Sequence, residues 1–194
     1  MKKIVLVFAL TISTLALAQE TSSNQPKKIQ IGIHYVGNLK NENLISDEFN
    51  GLIGVDARYS IVNEESLNFY GGLTLDYLKN KDQFFKKDAI VVNPNIGIEY
   101  DVFKSNFRPF VNVGFAFFSS EFEYFALNFD PAAPLEIASE KVNFSGITIN
   151  PGFRIHASDL IFIEASYKYY PVNSKDFEGK ANVHFINLGF GIKL

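Results

Sequence analysis

The chain has no cysteine. Disulfides and thiolate metal sites are therefore excluded, and so is lipid attachment through a cysteine. Tryptophan is also absent, although 20 Phe and 9 Tyr bring the aromatic content to 15%. Beyond residue 18 no apolar run approaches the ~20 residues of a membrane-spanning helix, yet 47% of the chain is hydrophobic. Apolar residues spread with period two suit a sheet. Basic residues are outnumbered and the pI is near 5.6, which argues against a nucleic-acid partner. No Gly-rich phosphate loop, metal-ligand cluster or paired-carboxylate motif stands out, so no catalytic, cofactor or metal residue is assigned. The expectation is a protein that is not an enzyme.

What is present starts with the N-terminus. Lys2 and Lys3 precede an apolar run from Ile4 to Leu15, and Ala16-Leu17-Ala18 offers small residues for cleavage. Residues 1–18 read as a signal peptide, with the mature chain beginning at Gln19. Its removal leaves 16 basic against 21 acidic residues, a net charge of −5. Residues 19–28 are polar, contain Pro26, and read as a flexible lead-in.

From residue 29 onward, apolar residues alternate with polar or small ones in eight segments: 29–39, 49–61, 67–77, 89–100, 107–118, 144–156, 160–170 and 181–194. Segment 49–61 places Phe49, Ile53, Val55, Ala57, Tyr59 and Ile61 on one face, opposite Asn50, Gly54, Asp56, Arg58 and Ser60. In the last segment Ile186, Leu188, Phe190, Ile192 and Leu194 oppose Asn187, Gly189, Gly191 and Lys193. Pro94, Pro109 and Pro151 interrupt three segments, and bulges or pairing gaps are expected there.

The connections alternate in length. Residues 40–48, 79–88, 119–143 and 171–179 are long, whereas 62–66, 102–106 and 157–159 are short. An even strand count with this asymmetry is the pattern of a transmembrane barrel, short turns in the periplasm and long loops outside. Each segment also matches the ~9–11 residues needed to cross a bilayer at a tilt. The predicted fold is all-β, an eight-stranded antiparallel up-and-down transmembrane barrel over 29–194.

The faces follow from bulk and charge. Gly32, Gly54, Gly72, Gly97, Gly114, Ala116, Gly152, Gly189 and Gly191 share the polar parity, which suits the crowded interior of an eight-stranded barrel. The Ile/Phe/Tyr parity is nearly free of charge and suits lipid. Asp56, Arg58, Glu99, Arg108, Arg154, Glu164 and Lys168 fall on the inner parity and are read as a structural polar network. Pairing across the short turns puts Glu99 near Arg108 and Arg154 near Glu164, as buried charges require. Tyr35, Tyr59, Tyr77, Tyr100, Tyr167 and Tyr169 lie near strand ends on the lipid face, where aromatic girdles form.

Signal peptide, eight alternating strands and the terminal strand ending Phe190-Gly-Ile192-Lys-Leu194 resemble the small OmpA/OmpX-type barrels, the outer membrane protein β-barrel domain (porin-family) group. The resemblance implies residence in the outer membrane of a Gram-negative envelope, contact with its lipid and lipopolysaccharide, and insertion by the barrel assembly machinery. That machinery would read the C-terminal strand, with Phe190, Ile192 and Leu194 as its outward residues. The family commonly ends in Phe where this chain has Leu194.

For function, the third long loop is the best candidate. Residues 121–129 keep strand-like alternation, and Phe122, Tyr124, Phe125 and Phe129 are candidate contacts for an extracellular protein, by strand addition. The plainer alternative is a projecting hairpin whose aromatics pack on neighbouring loops. The reading is a monomeric structural or surface-interaction protein. Three alternatives stay open: a narrow small-solute channel, a lipocalin-like soluble binder with faces reversed, and a lipid A-modifying enzyme. The last would need a Ser145/His184 pair, and strand seven is expected to separate those residues.

Overall fold

The computed structural model describes residues 28–39, 49–64, 66–81, 88–103, 105–126, 136–173 and 180–194. The signal peptide (1–18), the lead-in 19–28 apart from its last residue, most of the four long connections and Phe129 lie outside these residues. Eight strands follow in order: β1 Ile29–Asn38, β2 Phe49–Asn63, β3 Leu67–Asn80, β4 Ala89–Tyr100, β5 Phe107–Ala126, β6 Glu136–His156, β7 Ile161–Asn173 and β8 Lys180–Lys193. Each pairs antiparallel with its chain neighbour and β1 pairs with β8, closing the barrel. At the seam, Ile29 and Leu194 exchange backbone hydrogen bonds of 3.1 and 2.7 Å. Closure leaves no sheet edge within the wall.

The bulky parity faces outward. Ile96 is 68% exposed and Phe190 62%, whereas Arg154 on the other parity is 0% exposed. This is the reverse of a lipocalin-type barrel. Tyr59 and Tyr100 lie at the short-turn end, and Tyr35, Tyr77, Tyr167 and Tyr169 toward the other, all on the outer face. Aromatic rings thus stand at both membrane boundaries.

Three expectations are corrected. Phe49 does not face lipid. Register shifts between Gly51 and Ile53, so Leu52 and Ile53 both point out, and Phe49 turns into the lumen while Asn50 turns outward. A bulge inserts one residue and reverses the parity of everything beyond it. A second register shift lies between Ser60 and Val62, and both bulges fall in a strand that has no proline. Pro94 and Pro151 instead leave gaps in the β4–β5 and β6–β7 ladders without shifting register, since each removes only a donor.

The second correction concerns the bounds of the connection 119–143: the strand-like alternation expected from residue 121 is a paired hairpin, with β5 and β6 together from Ser119↔Asn143 to Ala126↔Glu136. Likewise β3 runs on to Asn80 and β7 to Asn173.

The third is the lumen, which is polar only in part. Toward the long-loop end Val36, Phe49, Leu78, Val91, Phe118, Phe144, Tyr170, Val183 and Phe185 pack into an apolar cluster. Phe118 meets Phe49 and Phe144 with ring centroids 5.4 and 5.5 Å apart. These residues sit on the inner parity of strand ends, where the barrel wall shields them from water and lipid alike.

Candidate functional site

The inner half nearer the short turns is built on charge. Arg154, on β6, lies opposite Glu164 of β7 in register, and its Nε donates to Glu164 Oε2 at 2.7 Å. Its Nη1 donates to Glu99 of β4. Arg58, on β2, reaches Glu164 from the other side with Nη1–Oε2 at 2.8 Å and also pairs with Asp56. Two guanidinium groups thus share Glu164 in the barrel interior. A buried charge is tolerable only with such partners.

Aromatic rings complete the cage. The Arg154 guanidinium carbon stands 4.2 Å from the Phe110 ring centre, 5.2 Å from Tyr70 and 5.7 Å from Phe162. Arg154 Nη2 also donates to Tyr70 Oη at 3.1 Å. A cation held against ring faces in a dry interior gains electrostatically from each. Parity places Tyr70, Phe110 and Phe162 inside, but sequence reasoning did not join them to the arginines. Ring-over-cation stacking depends on strands far apart in the chain.

Lys168 and His34 both meet Asp76, His34 Nε2 lying 2.8 Å from Oδ1 and Lys168 Nζ donating to Oδ2. Asp76 shares the inner parity by alternation, but no short-turn pairing joins it to Lys168 or His34. Arg108 divides between Glu99, at 3.5 Å, and Asp101, at 2.9 Å, the latter unforeseen because it lies just past β4. His156 Nδ1 is 3.1 Å from Lys193 Nζ.

Ser145 and His184 are not brought together. Ser145 pairs with Asn173 and His184 with Tyr169, so β7 lies between them. His184 instead bonds Tyr167 Oη and packs against the Tyr169 ring, tilted to it with centroids 5.0 Å apart, on the outer face. Phe122, Tyr124 and Phe125 belong to the β5 extension. Phe190, Ile192 and Leu194 hold the outward parity of the terminal strand.

Beyond the barrel wall, the β5–β6 arm stands alone. β4 pairs with β5 only as far as Ile90↔Ser119, and β7 meets β6 only from Asn173↔Ser145. Seven register pairs, Ser120↔Val142 to Ala126↔Glu136, therefore have no third strand beside them among the described residues. At ~3.3 Å per residue the arm extends on the order of 20 Å.

Solved structures share this architecture. The crystal structure of Ail, the attachment invasion locus protein of Yersinia pestis, superposes with a TM-score of 0.58 at 14% identity, covering 86% of this chain and 97% of that one. The N-terminal barrel domain of Pseudomonas aeruginosa OprF gives 0.53 at 13% identity, covering 88% and 100%. Neisserial surface protein A gives 0.52 at 12% identity, covering 86% and 94%. At such identities the likeness is one of fold. No curated protein sequence matches the chain. The family model described as outer membrane protein beta-barrel domain matches residues 4–193. The chain belongs to that family of outer-membrane barrels.

Proposed function

We propose that this protein is a non-enzymatic surface-interaction barrel of the outer membrane, whose β5–β6 arm offers a strand edge to an extracellular protein. The observation that carries this reading is the seven-pair ladder above the wall, which has no third strand beside it among the described residues. Each of its outer edges presents a row of backbone N–H and C=O groups, which an extended segment can pair with. The arm carries Glu121, Glu123, Glu136 and Glu140 against Lys141, so it favours a basic segment. Ail has been solved with the heparin analogue sucrose octasulfate. A polyanion of that kind is a poor match to an acidic arm.

Solute passage fits the interior less well. The ion-paired layer and the apolar cluster lie one above the other across an eight-stranded lumen, which is only wide enough for its own side chains. Export rests on residues 1–18 acting as a cleaved signal peptide, and insertion on β8 as the strand read by the assembly machinery. The lipid and lipopolysaccharide contacts belong to the outward apolar face and its tyrosines.

The test is a screen of the full-length barrel in lipid nanodiscs against a library of short peptides. Extended basic peptides should be enriched, and deleting residues 121–140 should abolish their binding while the barrel stays folded. Binders indifferent to that deletion would refute the reading.

A further inference from the structure

The short-turn end of the lumen is an open cup of about 540 Å³, whose lining includes Asn68, Glu99, Asp101, Arg108, His156 and Lys193. Its floor is the Glu99–Arg154 ion pair, and the apolar cluster closes the barrel beyond it. A solute entering from the periplasm therefore meets a blind end.

The cup holds polar atoms that the protein does not satisfy. Asn68 Oδ1, Glu99 Oε1 and Asp101 Oδ1 have no hydrogen-bond partner, although Asn68 and Glu99 are only 6% and 1% exposed. Arg108 Nη1 stands off from Glu99 Oε1 at 3.5 Å and His156 Nε2 at 3.9 Å. Buried polar atoms left unpaired cost free energy, so a site of this kind favours an occupant that supplies the missing partners. Three of the open atoms are acceptors. The open nitrogens are Arg108 Nε, a donor, and His156 Nε2, which can take either role.

Charge points the same way. Glu64, Glu99, Asp101 and Asp159 line the cup with Arg108 and Lys193, and Arg154 pairs with Glu99 at the floor, so four carboxylates meet three cations. All three cations are engaged, Arg154 with Glu99, Arg108 with Asp101 at 2.9 Å and Lys193 with His156 at 3.1 Å. We propose that the cup is a periplasm-facing binding site for a compact organic cation with N–H donors, an alkylammonium or a guanidinium. The cation would sit between Asn68, Glu99 and Asp101. Its N–H groups would supply the donors those oxygens lack, and its charge would offset the acidic excess. A volume equal to ~18 bulk water molecules admits a short diamine together with water around it. This inference stands on the cup alone and does not depend on the β5–β6 arm.

The test uses the barrel refolded in detergent micelles at low ionic strength, with amide NMR shifts followed during titration with putrescine and, separately, with acetate. Putrescine should give saturable shifts confined to residues 63–68, 99–108 and 156–159. Asp101→Asn and Asn68→Leu should each weaken binding by roughly tenfold or more. Asp88→Asn, at the opposite end of the barrel, should leave it unchanged and shows that folding and general charge are not the cause. Saturable shifts with acetate instead of putrescine, putrescine shifts that never saturate, or binding untouched by both cup substitutions would overturn the proposal.

Discussion

His34 and Asp76 are bonded across a strand that lies between them. His34 sits on β1 and Asp76 on β3, and both are in register with Gly54 of β2. A Cβ at Gly54 would stand 2.2 Å from His34 Nε2 and 2.4 Å from Asp76 Oδ1, inside the space their 2.8 Å contact occupies. Gly97 does the same between Tyr70 and Asn112, which hydrogen-bond over it. Glycine in this lumen is a window through which second-neighbour strands touch.

Gly54→Ala should therefore break the His34–Asp76 contact and leave buried polar groups without partners. The expected loss is about 1–3 kcal/mol, measured by urea unfolding in lipid vesicles. Gly71→Ala is the control. A Cβ there meets only Ile61 Cδ1, at 3.7 Å, so unfolding should be unchanged within error.

Gly51→Ala should be worse than either. Its Cβ would lie 2.0 Å from the carbonyl oxygen of Val36, and backbone cannot swing aside as a side-chain tip can. Heat-modifiable gel migration should show a reduced folded fraction, with the bulge at Leu52 displaced.

Arg154→Met strips the buried Glu99 and Glu164 of a shared partner. Removing one member of a buried ion pair typically costs ~3–5 kcal/mol. Arg58 still reaches Glu164, so the residual network should rescue part of this. Glu164→Gln added to Arg154→Met should cost less than the sum of the single substitutions, as a double-mutant cycle will read.

Planar bilayers containing the protein should be free of discrete conductance steps. The apolar cluster and the ion-paired layer would both have to open for ions to pass. Phe118→Ala should loosen the cluster and cost about 3–5 kcal/mol, yet conductance should stay silent while the Arg154 layer remains. Conductance in the unaltered protein would restore the channel reading.

Much of this was legible from the sequence because a β-strand has period two. Alternation assigned the eight strands, and an interior too narrow for bulky side chains assigned the glycine parity to the lumen. The Arg154–Glu164 contact was legible too, since a short turn fixes the register of the strands it joins. Phe49 was not, because nothing local marks the bulge at Leu52 that reverses its face. The meeting of Lys168 with Asp76, on β7 and β3, was also hidden. Such pairs come together only when the sheet closes and brings strands of different register to one depth. Composition and alternation thus set the fold and the two faces. Tertiary structure alone decided how the lumen divides into a cup, a charged layer and an apolar seal, because that division depends on height along the barrel axis, which barrel tilt and stagger determine.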